Sequence, residues 1–244
     1  MKSTIYKSKA QPWGPKWPHA VYANLFMGKL EEEKLTKLGN PHILIWKRFI
    51  DDIFLIWTGS KTDFETYMNE LNKLHHSIKF TYEISQNKLT FLDVTLYKGS
   101  RFENNHILDI CTHIKPTNKQ LYVHASSYHP QSTIAAITKG ETKRYLRTNS
   151  NEENFKRMTL NLTHRLKERG YKHNQILKHI KSIKFNQRTE SLSRKKQREN
   201  KIQKLVFVTQ FCDDTTRLKR ILKKHWKLIQ HNNTLRNIFP NSPP

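Results

Sequence analysis

An α+β fold is what this sequence predicts, with strands concentrated in the first half and helices in the second. Three observations carry the expectation. HILIWKRFIDDIFLIW (42–57) is rich in β-formers on both faces and is bounded by turn signals. IKFTYEIS (78–85), LTFLDVTLY (89–97) and ILDICTHI (107–114) follow as further strands. From Ser150 onward the apolar period switches to that of helices. Strands with an early helix between them, then a run of helices, make an α+β layer.

Taken in order, residues 1–19 hold scattered prolines and glycines and read as a loop-rich start. AVYANLFMGKLEEE, from Ala20, reads as a helix. Val21, Leu25 and Phe26 share its apolar face, and Met27 and Leu30 widen it. The 42–57 run predicts a strand, a turn at Asp51-Asp52 and a second strand. In TDFETYMNELNKL, Thr62 and Glu65 form a capping box. Phe64, Tyr67, Met68, Leu71 and Leu74 form that helix's stripe. Ile78, Phe80, Tyr82 and Ile84 alternate as in a half-buried strand, and Asn87-Lys88 turns the chain into LTFLDVTLY, read as one strand.

In the second half, Ser150 and Glu153 form a capping box for a helix with Phe155, Met158, Leu162 and Leu166 on one face. Gly170 ends it. Asn174 to Phe185 is a second helix, SLSRKKQRENK (191–201) a charged linker and KLVFVTQF (204–211) a short strand. TRLKRILKKHWKLI (216–229) is a basic amphipathic helix. The units expected are 1–114, 115–190 and 191–244.

Charge narrows the partner. Forty-four lysines and arginines stand against 20 acids, a net +24 over 244 residues. Such a chain repels itself unless it meets a polyanion; nucleic acid is the first candidate and an anionic membrane surface the second. No apolar stretch approaches the ~20 residues of a membrane span. Cys111 and Cys212 fit neither a disulfide framework nor a zinc site, and suit a reducing, intracellular setting. Arg194-Lys195-Lys196 reads equally as a nuclear-import patch or a solvated run. Thirteen histidines, among them His75, His76, His113, His124 and His129, have no zinc-ligand spacing. His225 beside Trp226 reads as helix packing.

Asp51 and Asp52 interrupt an otherwise apolar run, and burying a lone carboxylate costs several kcal/mol. At a tight turn the pair can hold Mg²⁺, an ion that takes few protein carboxylates and completes its shell with phosphate oxygens. Two such ions about 3.5–4 Å apart drive nucleotidyl transfer. A plain polar turn is the structural alternative.

YANLFMGKLEE (22–32), RFIDDIFLIWTG (48–59), LNKLHHSIKFTYEIS (71–85), LTFLDVTLY (89–97), KPTNKQLYVHASSYHP (115–130) and HWKLIQHNNTLRNIFPNSPP (225–244) occur in an order that resembles the reverse transcriptases of Penelope-like retroelements. The resemblance implies a partial polymerase palm, an antiparallel sheet with packed helices, then a mostly helical thumb and extension. It makes Asp51 a metal ligand, with Asp52 its less central neighbour, and RNA/DNA template-primer the partner. Asp93 falls in the hairpin beside the primer strand, with a structural role the stronger reading. Lys79 reads as solvated, a place near the incoming triphosphate being the alternative.

The chain departs from that family's pattern. Residues 1–50 contain no aspartate, so the first palm aspartate is missing. Motif B is reduced to QPWGPKWPHA, where Gly14 and Lys16 match. The fingers lie upstream in the family. The expectation is the back half of a reverse transcriptase, with an incomplete two-metal Mg²⁺ site, binding nucleic acid but not polymerising alone. A transferase borrowing its missing aspartate from another chain and a non-enzymatic, basic helix-turn-helix-like binding module are the alternatives.

Residues 151–185 fit a helix-turn-helix or a pair of packed thumb helices, and the family's layout favours the second. Lys167, Arg169, Lys172, Lys178, Lys181 and Lys184 then face a nucleic-acid backbone. Tyr128 and Tyr145 are read as core residues, base stacking being the alternative. The oligomeric state is left open.

Overall fold

The computed structural model describes residues 4–9, 19–35, 39–193, 212 and 214–238. They form an α+β mix of helices and small antiparallel sheets. The chain divides into two compact units, 1–121 with 142–162 and 122–141 with 163–244, each considered by itself.

The first unit holds both sheets. Strands β1 (Thr4–Lys9), β2 (Ile43–Phe49), β3 (Asp52–Trp57) and β4 (Thr81–Ser85) pair antiparallel in the order β2-β3-β1-β4. β1 corrects the loop-rich start expected there, since it lies between β3 and β4 and its Ser8 pairs with Ile53. The interior position of β3 explains its unbroken apolar run, because both faces are covered. Ile53, Leu55 and Trp57 join one core cluster, while Phe54 and Ile56 join another with Leu89. At ~1.5–3 kcal/mol per fully buried side chain, β3 supplies much of this unit's stabilisation.

Helix α1 (His19–Leu30), continued by a π-helical turn at Glu31–Leu35, covers the first cluster with Met27 and Leu30. The predicted face is corrected by about a third of a turn: Val21 and Leu25 are exposed and Phe26 is half-buried. Helix α2 (Lys61–Lys73) buries Phe64, Tyr67, Met68 and Leu71, as its stripe predicts. Its capping box is Ser60 with Asp63, two residues earlier than Thr62 with Glu65. The Ser60 hydroxyl holds the Asp63 carboxyl below its usual range. Trp57 packs edge-on to Phe64 at 5.4 Å and against Tyr67 at 5.5 Å, and burial pushes the Tyr67 hydroxyl up to about 12.

LTFLDVTLY is two strands rather than one. β5 (Lys88–Phe91) and β6 (Val94–Tyr97) fold back on each other at Leu92-Asp93, with Leu92 at φ +54°, and β7 (Asp109–Thr112) completes the sheet β5-β6-β7. A short helix, α3 (Ser100–Asn105), precedes β7 and is unmarked in the sequence reading.

Two long helices follow, α4 (Gln131–Thr148), which the apolar pattern does not announce, and α5 (Glu152–Glu168). Their junction is fastened to β7. Buried Asn149 accepts from the Thr112 N–H at 3.1 Å and donates to its hydroxyl at 2.8 Å. Ser150 accepts from the Ile110 N–H and donates to the Asp109 carboxylate at 2.7 Å, while Arg101 pairs with Asp109 at 2.6 Å. Ser150 is thereby used by the sheet, and Asn151 accepts from the Glu153 N–H in the first turn of α5, correcting the predicted box. These bonds also occupy an edge that would otherwise expose unpaired backbone.

In the second unit, helix α6 (His173–Lys181) ends at Ser182, short of the predicted Phe185. A 3₁₀ turn at Phe185–Gln187, helix α7 (Arg188–Leu192), helix α8 (Thr215–His231) and helix α9 (Asn233–Ile238) follow. The predicted strand at 204–211, the residues Arg194-Lys195-Lys196, most of the charged linker and the 10–18 stretch lie outside the described residues.

Candidate functional site

The Asp51-Asp52 turn closes the β2-β3 hairpin. Phe49 pairs with Asp52, so the two turn residues are Ile50 and Asp51, one residue ahead of the predicted pair. Ile50 sits at φ +57°, a left-handed conformation that costs a β-branched residue roughly 1–3 kcal/mol. Arg48 helps hold it there. Its Nη1 donates to the Ile50 carbonyl at 2.9 Å and to Asn24 Oδ1 at 2.9 Å, and its Nε pairs with Glu31 at 2.8 Å. Trp46 Nε1 also donates to Glu31, at 3.0 Å. With Arg48 and Glu31 only 13% and 24% exposed, this pair is shielded well enough to count.

Both aspartates are half-buried, and Asp52 Oδ1 is buried with no hydrogen-bond partner. An unpartnered buried carboxylate oxygen is one that a bound cation would satisfy. Asp51 and Asp52 suit one Mg²⁺ that also holds phosphate oxygens. The donor set goes no further: no group of three or more His, Cys, Asp or Glu residues stands together among the described residues. The strand beside β3, β1, reads TIYKSK and carries no carboxylate.

Asp93 sits on the β5-β6 turn, largely exposed, 3.7 Å from Arg144. Lys79 donates to the Asn72 carbonyl at 2.9 Å and so caps the end of α2. Tyr145 is buried as expected, whereas Tyr128 is 62% exposed, correcting its assignment to the core. Trp226 is buried and His225 exposed. Burial pushes the Cys111 thiol up, which makes it a poor nucleophile.

The second candidate is the turn between α5 and α6. Gly170, at φ +79°, closes α5 in a Schellman motif: Tyr171 N–H reaches the Leu166 carbonyl at 3.1 Å and Gly170 N–H the Lys167 carbonyl at 2.9 Å. Residues 122–125 brace it. Arg169 Nε donates to the Tyr122 carbonyl at 2.8 Å, Ala125 N–H to the Arg169 carbonyl at 2.9 Å, and the Tyr171 hydroxyl to the Val123 carbonyl at 3.0 Å. A Cβ at Gly170 would meet the His124 ring at 3.2 Å. Two helices joined by four residues that include a glycine make a helix-turn-helix connection.

Ile176 anchors α6, and its other side faces solvent. Lys167, Lys172, Lys178, Lys181 and Lys184 are exposed; Arg169 is half-buried, with its Nε engaged by the brace. Burial, then Lys139 of α4 and Lys178, hold the His179 imidazole below its ordinary value, so α4 adds a cation to the same surface. His173, Asn174 and Gln175, exposed on the first turn of α6, escaped the sequence reading, which weighed charge alone. Their signal is position: polar side chains directly after a helix-turn-helix turn.

Among protein families, residues 121–181 match the animal helix-turn-helix domain. Those residues contain α4, α5 and α6. No curated protein and no solved structure matches the chain. No described helix is long and apolar enough to cross a membrane.

Proposed function

We propose that this chain binds double-stranded nucleic acid through the helix-turn-helix of residues 121–181. The observation that carries the reading is the coincidence of the family match with a braced glycine turn and an exposed, cationic α6. Lys172, Lys178, Lys181 and Lys184, with Lys167, hold phosphates, which sets affinity and salt dependence. Asn174 and Gln175 meet base edges, where amides pair best with adenine. In an anisotropy titration of a labelled duplex, K178A/K181A/K184A lowers the slope of log affinity against log salt by about 2–3. An unchanged slope sinks the reading.

The second reading concerns descent. The ordered motifs, the two-aspartate hairpin and the unpartnered Asp52 oxygen favour derivation from a reverse transcriptase of Penelope-like elements, with RNA/DNA template-primer the original ligand. Asp51 and Asp52 would hold Mg²⁺, which supplies charge stabilisation to phosphoryl oxygens when bound. With no carboxylate on the neighbouring strand, the chain does not polymerise alone. Losing one carboxylate from a two-metal site costs on the order of a thousandfold or more. Template-dependent primer extension by the purified chain, abolished by Asp51→Ala, would show otherwise.

A further inference from the structure

We infer that α8 is a second nucleic-acid surface, a phosphate-tracking stripe separate from the helix-turn-helix. It rests on the chain being a nucleic-acid binder, not on α6 being what binds. Leu218, Trp226 and Ile229 recur at helical spacing and are at least half-buried, with Trp226 only 5% exposed. That fixes the other side outward, where Arg217, Arg220, Lys224 and Lys227 form an exposed row. Ten steps of 1.5 Å rise from Arg217 to Lys227 make the row about 15 Å long, roughly four phosphates along one strand of a duplex.

The row itself carries no acidic residue, the nearest in sequence being Asp213 and Asp214 before the helix. Residues 215–238 contain no aspartate or glutamate, and none of these four cations is ion-paired among the described residues. Elsewhere the chain pairs its helical charges, as in Lys61–Glu65 on α2 and Lys156–Glu152 on α5. Within the row Arg217–Arg220, Arg220–Lys224 and Lys224–Lys227 are like-charged i,i+3 and i,i+4 neighbours, a repulsion that a polyanion laid along the row removes. A bilayer is a poorer occupant. An interfacial helix needs its apolar face free, and the Trp226 side is already covered. Ile221 and Leu228 stand out beside the cations, 46% and 70% exposed, and Leu222 is 37% exposed.

The test is a salt titration of duplex DNA binding by the full chain. R217Q/R220Q/K224Q/K227Q keeps good helix formers and should leave the thermal midpoint in place while lowering the log–log slope by about 3–4. Between 50 and 200 mM salt, the affinity loss then shrinks on the order of a hundredfold. R217K/R220K keeps the charge and should keep the slope. A wild-type slope in the quadruple variant overturns the inference. If that happens while K178A/K181A/K184A still weakens binding, the helix-turn-helix reading stands alone. The opposite pattern upholds α8 and removes α6. Binding to phosphatidylserine vesicles that is lost in I221S/L228S, with the duplex slope unchanged in the quadruple variant, also overturns it.

Discussion

The hairpin at Asp51-Asp52 and the turn at Gly170 both depend on one residue with positive φ, and they reach it by different chemistry. At the hairpin, β-branched Ile50 is held in an unfavourable conformation by a shielded Arg48–Glu31 pair and a fully covered strand. At the turn, glycine adopts φ +79° at no steric cost, and carbonyls of the 122–125 segment accept from its neighbours. Charge follows the same division. The hairpin spends Arg48 on structure, whereas α6 leaves its lysines to solvent. Strain and an unpartnered carboxylate oxygen are what the proposed cation role rests on, and exposed cations on a relaxed frame are what the proposed duplex contact rests on.

Substitutions can break that contrast, and the largest effect belongs to the core behind the hairpin. Trp57→Ala removes a fully buried ring and should cost about 3–5 kcal/mol in urea unfolding. Arg48→Ala leaves Glu31 with Trp46 Nε1 and frees the Ile50 carbonyl. It should cost about 3 kcal/mol, where a surface pair would cost less than about 1. Gly170→Ala should cost about 1–2 kcal/mol for the left-handed conformation, plus whatever the His124 contact adds. The smallest effect sharpens the contrast most. Asp52→Asn should stabilise the fold slightly without divalent ions, by up to ~1 kcal/mol in urea unfolding, because it relieves the unpartnered carboxylate. It should also abolish any Mg²⁺-dependent rise seen in the parent chain. Identical Mg²⁺ responses in the two proteins would refute a cation role for the turn.

Much of the sheet was legible because covered strands and alternating strands leave different patterns. The unbroken run at 53–57 and the stripe of α2 both read correctly. The misses have local causes. Ser60 and Thr62 both begin a box-like pattern, and the earlier one caps α2. Ser150 looked like a cap, but the chain needed its hydroxyl at β7. LTFLDVTLY hid its turn because Leu92, rather than glycine or asparagine, takes the positive φ. Helix α4 escaped because Thr138 and Thr142 occupy buried positions where the pattern expects apolar residues. At the candidate sites, sequence singled out the aspartate pair and the cations of α6 but not Arg48, whose partners are distant in the chain, nor Asn174 and Gln175, which only the position of a turn marks.

The most direct test of the central claim is duplex binding by the full chain across a salt series, parent against K178A/K181A/K184A. The account predicts a slope shallower by about 2–3 in the variant, with its unfolding midpoint unchanged because all three lysines are exposed. Equal slopes in two equally folded proteins would contradict it.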